Sequence, residues 1–262
     1  MTDCRYLNRL LVVILALVSG QASADDGLAK EWKLISDRNG IQVYSRHTDN
    51  SRLKTFKGVT EVSYDDEYTA IALFNDYDAY PKWLHLIDGA EEISRAGPLD
   101  RNLRMTTHLP WPVADREAVV RSWIDMKVTP EEELFTVHID NRPDLIPEHD
   151  DYVRFPEIQG FLQARRLPDN RAEVTYQVVL DPGGYVPAWL VNILMRDAPY
   201  FTLEKVRRII KRPEYIGHFY DYIDMRGPGR PDHLPPVKSY LYGNPPDAPF
   251  TGVLLPKPDT TP

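Results

Sequence analysis

The sequence contains almost no cysteine, no excess of basic charge and no long apolar run. Its single cysteine, Cys4, stands near the N-terminus, so the rest of the chain has no thiol for a disulfide, a thiolate metal site or a cysteine nucleophile. The formal net charge of −8 argues against nucleic-acid binding by the molecule as a whole. The apolar run at residues 10–18 has about half of the roughly 20 residues that a spanning helix needs.

Recognisable catalytic and metal-binding motifs are also missing. The seven histidines are not spaced like the ligands of a zinc site such as H-E-x-x-H, and the sequence has neither a nucleophile elbow nor a phosphate-binding loop. We therefore expect no metal site, no catalytic residue and no cofactor. If the protein is an enzyme instead, Asp115, Glu117 and His108 are the nearest acid and base candidates.

The N-terminal 24 residues have the pattern of a secretory signal peptide. Arg5 and Arg9 precede the apolar run, and the small residues at 22–24 end in a cleavage pattern. Cys4 lies before the run, whereas a lipoprotein anchor needs a cysteine after it. We expect an exported protein, periplasmic if the source is a Gram-negative bacterium and secreted otherwise, with an uncleaved N-terminal anchor as the alternative.

The sequence after residue 24 has the composition of a folded domain. Hydrophobic residues make up 42% of the chain and charged residues 27%. The apolar spacing predicts a short amphipathic helix over 28–37 and a hairpin of two strands over 41–47 and 53–62. A helix is predicted over 66–87, divided into two pieces by Pro81.

From about residue 90 the pattern is typical of β-strands. Six segments separated by turns follow one another, and residues 133–139 place Phe135, Val137 and Ile139 on one face. The last strand alternates most clearly. Consecutive strands with short turns predict a mostly antiparallel, strongly curved sheet. The residues of the last strand that share one face are Ala172, Val174, Tyr176, Val178 and Leu180.

A long helix is predicted from Pro187 to about Arg212, with Pro199 kinking it or loosening one turn. Gly183 and Gly184 give the preceding corner the backbone freedom to turn sharply from strand to helix. The helix then lies across the concave face of the sheet. Its bulky apolar residues are compatible with a packed core or with a cavity between helix and sheet.

The composition changes again after Arg212. Residues 213–262 hold eleven of the 23 prolines, which excludes regular helix and central strand. This segment is either a disordered tail or an extended strap over the domain, and its aromatic and aliphatic residues favour partial docking.

Several motifs together resemble the START family, the lipid-transfer domains related to steroidogenic acute regulatory protein. They are the corner "DPGGYVPAWLVN" followed by "PYFTLEKVRR", the opening hairpin "DRNGIQVYSR" with "LKTFKG", the proline-flanked loop "LPWPVADREAVV", and the strands "YVRFPEIQGFLQARRL" with "VTY". The match covers about residues 28–212. Its proline loop and glycine corner most resemble the phosphatidylcholine-transfer branch.

The resemblance implies an α+β helix-grip fold, in which a curved antiparallel sheet wraps around a long C-terminal helix. It implies a START-like lipid-binding domain over 25–212, followed by the proline-rich tail. A tunnel between sheet and helix would hold one lipid without covalent chemistry. The expected partners are then a lipid ligand and, transiently, a membrane, with no nucleic acid, and the expected oligomeric state is a monomer.

Ten residues are candidates for ligand binding, each with a structural alternative. Trp111 either gates the tunnel or packs its loop down. Arg116 either reaches the lipid or the tunnel mouth, or forms a salt bridge that holds its loop to the sheet. Arg154 either binds a lipid head group or is an outward-facing residue of its strand. The others either line the tunnel or belong to the core. The ten are Trp83, Trp111, Arg116, Arg154, Tyr176, Trp189, Leu190, Leu194, Met195 and Phe201.

The sequence departs from the family at the buried acid–arginine pair of some sterol-binding relatives, because Ser122 stands about where the arginine would be.

Three functions stay open on the sequence alone: a carrier that holds one lipid, an enzyme acting on a hydrophobic substrate in the same cavity, and a ligand-gated interaction protein whose tail binds a partner.

Overall fold

The structure is a computed structural model that describes residues 31–47, 53–109, 113–184, 186–220, 222, 223 and 225. The predicted signal peptide, the candidate gate Trp111 and most of the proline-rich segment lie outside the described residues.

Ten strands and four α-helices make up the described fold. The strands are β1 (Lys33–Arg38), β2 (Ile41–His47), β3 (Lys54–Ser63), β4 (Ile87–Gly97), β5 (Asp100–Thr107), β6 (Arg116–Val128), β7 (Glu133–Asn141), β8 (Val153–Arg154), β9 (Glu157–Leu167) and β10 (Arg171–Asp181). The helices are α1 (Thr69–Asn75), α2 (Tyr80–Trp83), α3 (Ala188–Arg196) and α4 (Ala198–Ile209), and short 3-10 turns occupy Tyr77–Ala79 and Pro213–Tyr215.

All the strands belong to one large curved sheet, in the order β1-β2-β3-β10-β9-β7-β6-β5-β4. Neighbours in this order are antiparallel, and the short β8 pairs with β6 in parallel. The last strand, β10, joins the N-terminal hairpin to the rest of the sheet, because it pairs with β3 on one side and β9 on the other. The predicted fold class, a curved antiparallel sheet with a C-terminal helix, is confirmed.

The alternation of the strands positions the core. On β5 the inward side chains Leu103 and Met105 are buried, and their sequence neighbours are more exposed. The apolar residues of β10 share one face as predicted, and they line the space under the helices. One face of the sheet is therefore apolar and is covered by α1, α2, α3 and α4.

Helix α4 lies close to β3 at Gly58. A Cβ added to Gly58 would stand 2.7 Å from Leu203 Cδ1 and 2.9 Å from Pro199 Cβ, which are closer than such contacts allow. Glycine at this position therefore lets the second half of the C-terminal helical segment seat directly on the sheet.

The strand-to-helix corner is built from two glycines in the left-handed region. Gly183 has φ +68° and Gly184 has φ +64°, values that side-chain-bearing residues rarely adopt. Asp181 Oδ1 accepts a hydrogen bond from the Gly183 amide at 2.9 Å, which closes the turn. The corner leads directly into α3 after Pro187.

Two helix predictions need correction. The predicted helix over 28–37 is wrong for its described part, because residues 33–38 form β1 and pair with β2. Asn39 and Gly40 have φ +52° and +69°, the two-residue hairpin geometry that joins these strands. The predicted helix after Pro187 is two helices that meet at Asp197, and Pro199 sits in the first turn of α4, where its missing amide costs no hydrogen bond.

The first residues after Arg212 dock on the domain. Tyr215, Tyr220 and Met225 are buried. The Tyr215 hydroxyl donates to Asp76 Oδ2 at 2.7 Å, and the Thr69 hydroxyl donates to the Tyr215 carbonyl at 3.2 Å. This described part of the C-terminal segment thus closes over α1.

Candidate functional site

Two adjoining cavities lie between the sheet and the helices. The main cavity has a volume of about 150 Å³ and the second about 70 Å³. They share wall residues and therefore lie side by side, and the two cavities taken together are called the path below. The shared residues are Leu84, Met105, Ile139 and Tyr176.

Apolar side chains form most of the main cavity. Strands β5, β6, β7, β9 and β10 supply its floor, and α1, α2 and α4 supply its roof. Such a lining offers water few hydrogen bonds and therefore favours an apolar occupant. Representative residues are Leu73, Phe74, Leu103, Val137, Leu162 and Val206.

The second cavity extends from the shared wall toward α3 and the glycine corner. Leu109 and Val113 border it from the loop before β6, and Pro182 and Val186 border it from the corner. Val191, Leu194 and Met195 contribute the inner side of α3. This end of the path is mostly apolar, and its polar wall residues are His85, Thr107, Gln159 and Gln177.

Two hydroxyls face the path without a partner. Ser122 and Tyr176 line the main cavity, and the side chain of neither makes a hydrogen bond within the part of the chain that the structure describes. Burial raises the pKa of Tyr176 to about 12, so the phenol stays neutral and keeps its proton to donate. Both groups can hydrogen-bond to a polar atom of an occupant.

The far end of the main cavity is polar. Arg166 on β9 donates to Glu133 on β7, to the Tyr64 hydroxyl at 2.9 Å, and to the Met225 carbonyl. All four of these residues line the cavity. The other oxygen of Glu133, Oε1, is buried and has no hydrogen-bond partner in the described part of the chain.

A second buried carboxylate, Glu117, lies outside the cavity and is fully bonded. Its Oε1 accepts from the His149 amide at 3.0 Å and from Arg154 Nη2 at 2.8 Å, and its Oε2 accepts from Arg104 Nε at 2.6 Å. Burial alone raises the pKa of Glu117, but the hydrogen bonds from His149, Arg104 and Arg154 outweigh it and leave the pKa below its ordinary value.

Arg116 connects the loop before β6 to the glycine corner. Its guanidinium donates to the Ala114 carbonyl and to the Pro182 carbonyl, the latter at 3.4 Å. The acid of the predicted arginine–acid pair, Glu117, is instead bonded to Arg104 and Arg154. Arg116 therefore fixes the geometry of the second cavity's rim from outside the cavity wall.

Arg101 is a fully buried cation that sequence reasoning missed. Its Nη2 donates to Asn75 Oδ1 at 2.6 Å and to the Pro98 carbonyl at 3.1 Å, while Nε and Nη1 have no partner among the described residues. Burial lowers its pKa. The ring of Phe74, which lines the cavity, lies over the guanidinium at 4.1 Å. The alternation of β5 could have placed Arg101 on the inward face with Leu103.

The ten predicted residues fall into four groups in the structure. Trp83, Tyr176, Leu194 and Met195 line the path. Arg116 and Arg154 are buried in hydrogen-bond networks behind its walls, Trp189, Leu190 and Phe201 are not among the wall residues, and Trp111 lies outside the described residues. The side chain of Trp189 is 64% exposed.

The sequence pattern alone does not point to Glu133, because the three consecutive glutamates at 131–133 fit a solvated turn. The signal that could have found it is the alternation of β7, since Glu133 stands two positions before Phe135 and shares its inward face.

The acid and base candidates for an enzyme do not meet in the cavity. His108 Nδ1 lies 3.0 Å from Asp115, but the His108 side chain is 76% exposed on the surface. Glu117 is held by the arginines described above. Among the described residues, no cluster of three or more metal ligands occurs, and no helix has the length and apolarity to cross a membrane.

Comparison with known proteins gives three informative likenesses, and no protein-family model matches the sequence. An uncharacterized protein of Pseudomonas aeruginosa is 32% identical over 197 residues, which cover 75% of this chain and 94% of that protein. The structure of a STAR-related lipid transfer protein from Xanthomonas axonopodis has a TM-score of 0.62 and 26% identity, covering 69% of this chain and 99% of that one.

Human StAR-related lipid transfer protein 5 is similar in fold. Its TM-score is 0.58 at 15% identity, over 79% of this chain and 96% of the human chain.

Proposed function

We propose that this chain is a START-family protein that binds one lipid or other hydrophobic ligand in the paired cavities and carries it between membranes, as its fold and its likeness to the Xanthomonas STAR-related lipid transfer protein support. The observation that carries the proposal is the pair of adjoining, mostly apolar cavities between the sheet and the C-terminal helices, with neutral hydroxyls in their walls. The Xanthomonas relative is described as a lipid transfer protein, which supports the same reading.

The energetics of such a site favour a carrier. Burying a methylene removes it from water with a gain of about 0.8 kcal/mol, so a chain of several carbons binds strongly from water. The same burial gains almost nothing relative to a bilayer, which is equally apolar. A ligand can therefore leave one membrane, cross water inside the protein and enter another membrane without a large barrier from affinity alone.

The cavity volumes limit the size of the ligand. A cavity of about 150 Å³ holds a molecule of the size of benzene, and drug-sized ligands occupy roughly 300–1,000 Å³. The main and second cavities have about 150 and 70 Å³. These volumes favour a compact or single-chain ligand. A two-chain phospholipid, as the resemblance to the phosphatidylcholine-transfer branch predicts, requires the helices to move away from the sheet.

The outer side of α3 supports transient membrane contact. Trp189 and Ile193 are one helical turn apart and are 64% and 57% exposed, and the inner side of the same helix forms the second cavity. Exposed tryptophan and isoleucine favour the membrane interface. We propose that this side of α3 meets the bilayer where the ligand passes.

Carriage without catalysis is supported by what the path holds. The described wall is mostly apolar, its polar residues include Asp66, Glu67, His85 and the arginine-paired Glu133, and the exposed His108–Asp115 pair lies outside it. We propose a monomer that is exported by its N-terminal signal peptide, to the periplasm if the source is Gram-negative. N-terminal sequencing of the protein from its own host tests export, with Asp25 expected as the first residue.

Native mass spectrometry of the protein purified from its host tests ligand binding. We expect one species heavier than the polypeptide by the mass of a single lipid, released on unfolding. A chain that carries no small molecule, and takes up none from mixed-lipid vesicles, would contradict the proposal.

A matched pair of variants locates the ligand. Val174 lines the main cavity, whereas Thr175 is its neighbour on the opposite face of β10. V174W should fill the cavity and abolish the adduct, and T175W should keep it. Equal adducts in both variants would place the lipid elsewhere.

A further inference from the structure

We propose that the ligand is a single-chain amphiphile whose head donates hydrogen bonds, and that this head docks on Glu133 at the polar end of the main cavity. The apolar chain then runs past Ser122 and Tyr176 toward α3. The inference rests on the proposed function and adds to it the class of ligand and its direction.

The position of Glu133 makes it accessible to a ligand. It lies on the inward face of β7 with Phe135, Val137 and Ile139, and all four line the main cavity. Its side chain is only 10% exposed, so water reaches it poorly. A head group at this point would be enclosed by protein while its chain lies on the apolar floor.

The bonding of Glu133 is incomplete in a way that selects a donor. One oxygen pairs with Arg166, and the other, Oε1, is buried without a partner among the described residues. A carboxylate oxygen accepts hydrogen bonds and donates none when ionised. An unsatisfied buried acceptor costs free energy, which a hydroxyl or an ammonium group would recover.

The bonding of Arg166 argues against an acidic head at the same place. Its Nε, Nη1 and Nη2 donate to Glu133, Tyr64 and the Met225 carbonyl. These bonds use three of the five N–H groups of the guanidinium, and an anion that approached the other two would meet the negative charge of Glu133. The pair therefore presents an acceptor to the cavity and keeps its positive charge engaged.

The two ends of the path differ in polarity, which sets the direction of the ligand. The end at α3 is bordered by Leu109, Val113, Val186 and Met195, and its described wall contains no carboxylate, lysine or arginine. The opposite end has Tyr64, Glu133 and Arg166. A head placed at the α3 end would find neutral polar side chains such as Gln159 and Gln177, but no carboxylate among the described wall residues.

Arg101 is the competing anchor, for an anionic head. It is buried and two of its nitrogens have no hydrogen-bond partner among the described residues, but it is not part of the cavity wall, and Phe74 covers its guanidinium. An acidic ligand would reach it only after that ring moved. The geometry thus favours Glu133.

Titration calorimetry with three probes of equal chain length tests the head preference: decan-1-ol, decylammonium and decanoate, on delipidated protein at neutral pH. We expect the alcohol and the ammonium to bind about tenfold or more tightly than decanoate, as hydrogen bonds to a charged acceptor imply. E133Q should remove most of that preference. E131Q, an exposed neighbour, should keep it.

Equal affinities for the three probes would overturn the inference and leave the carrier function standing. Tighter binding of decanoate, weakened by R101M, would overturn it in favour of the anion site. No binding of any probe, together with no lipid on the native protein, would instead remove the proposed function. If E133Q does not fold, the order of the three affinities on the unaltered chain still decides.

Discussion

Glu117 and Glu133 are both buried carboxylates on the same sheet, but they lie on opposite faces and have opposite bonding. Glu117 has both oxygens bonded to the chain, by Arg104, Arg154 and the His149 amide, under the loop that follows β7. Glu133 faces the cavity with one oxygen bonded to Arg166 and the other unpartnered among the described residues.

The difference separates a structural charge from a recognition charge. A buried ion pair whose hydrogen bonds are all satisfied holds its surroundings in one arrangement, and removing one partner strands the other. A buried acceptor left open toward a cavity costs stability in the empty protein and is satisfied when a ligand arrives. The comparison predicts that the two glutamates respond differently to the same substitution.

The largest effect is expected for E117Q. It leaves Arg104 and Arg154 without their shared carboxylate, and breaking a buried pair in this way costs about 3–5 kcal/mol. Urea denaturation should show this loss in the free energy of unfolding. E148Q, on the exposed part of the same loop, is the control and should change little. A loss below about 1 kcal/mol for E117Q would contradict the structural role assigned to Glu117.

Acid should reproduce part of that effect without mutation. The folded-state pKa of Glu117 is depressed below 4.5, so its stabilisation is fully present above that pH and is lost as pH falls through the lower folded value. The free energy of unfolding of the unaltered chain should therefore decrease below about pH 4.5. E117Q should show a shallower decrease over the same range, and parallel curves would rule out this role for Glu117.

A smaller loss is expected for E133Q. Arg166 is 29% exposed, so water can solvate it when the negative charge is removed, and only one oxygen of Glu133 has a hydrogen-bond partner among the described residues. We expect about 1–2 kcal/mol in the same urea experiment, clearly less than for E117Q. Equal losses in the two variants would mean that Glu133 is another structural charge.

The smallest change in stability is expected for the exposed outer side of α3. Replacing Trp189 and Ile193 together by serine removes exposed apolar surface and should leave the free energy of unfolding within about 0.5 kcal/mol. Transfer of a fluorescent lipid between vesicles should nevertheless slow severalfold, because this side of α3 no longer binds the bilayer. An unchanged transfer rate would assign the membrane contact to another surface.

Local patterns predicted the parts of the site that follow from strand alternation. Tyr176 on β10 and the inward residues of β7 could be assigned because a period of two fixes which side chains face the helices. The sharp corner at Gly183 and Gly184 followed in the same way from chain chemistry, and both glycines have the positive φ that such a turn requires.

The remaining features depend on long-range contacts that a local pattern does not contain. β1 is a strand because it pairs with β2 across the Asn39-Gly40 hairpin, although its apolar spacing also fits a helix. Arg154 finds Glu117 from another part of the chain, 37 positions away. The open oxygen of Glu133 depends on what Arg166 does with its other donors.

Isotope-filtered NMR of the protein with decan-1-ol tests the central claim most directly, because it reports which protons touch the bound chain. We expect intermolecular NOEs from the chain methylenes to the methyl groups of Val137, Leu162 and Val174 inside the main cavity. NOEs confined to the exposed Trp189 and Ile193, with none to the cavity residues, would contradict a ligand held between sheet and helices.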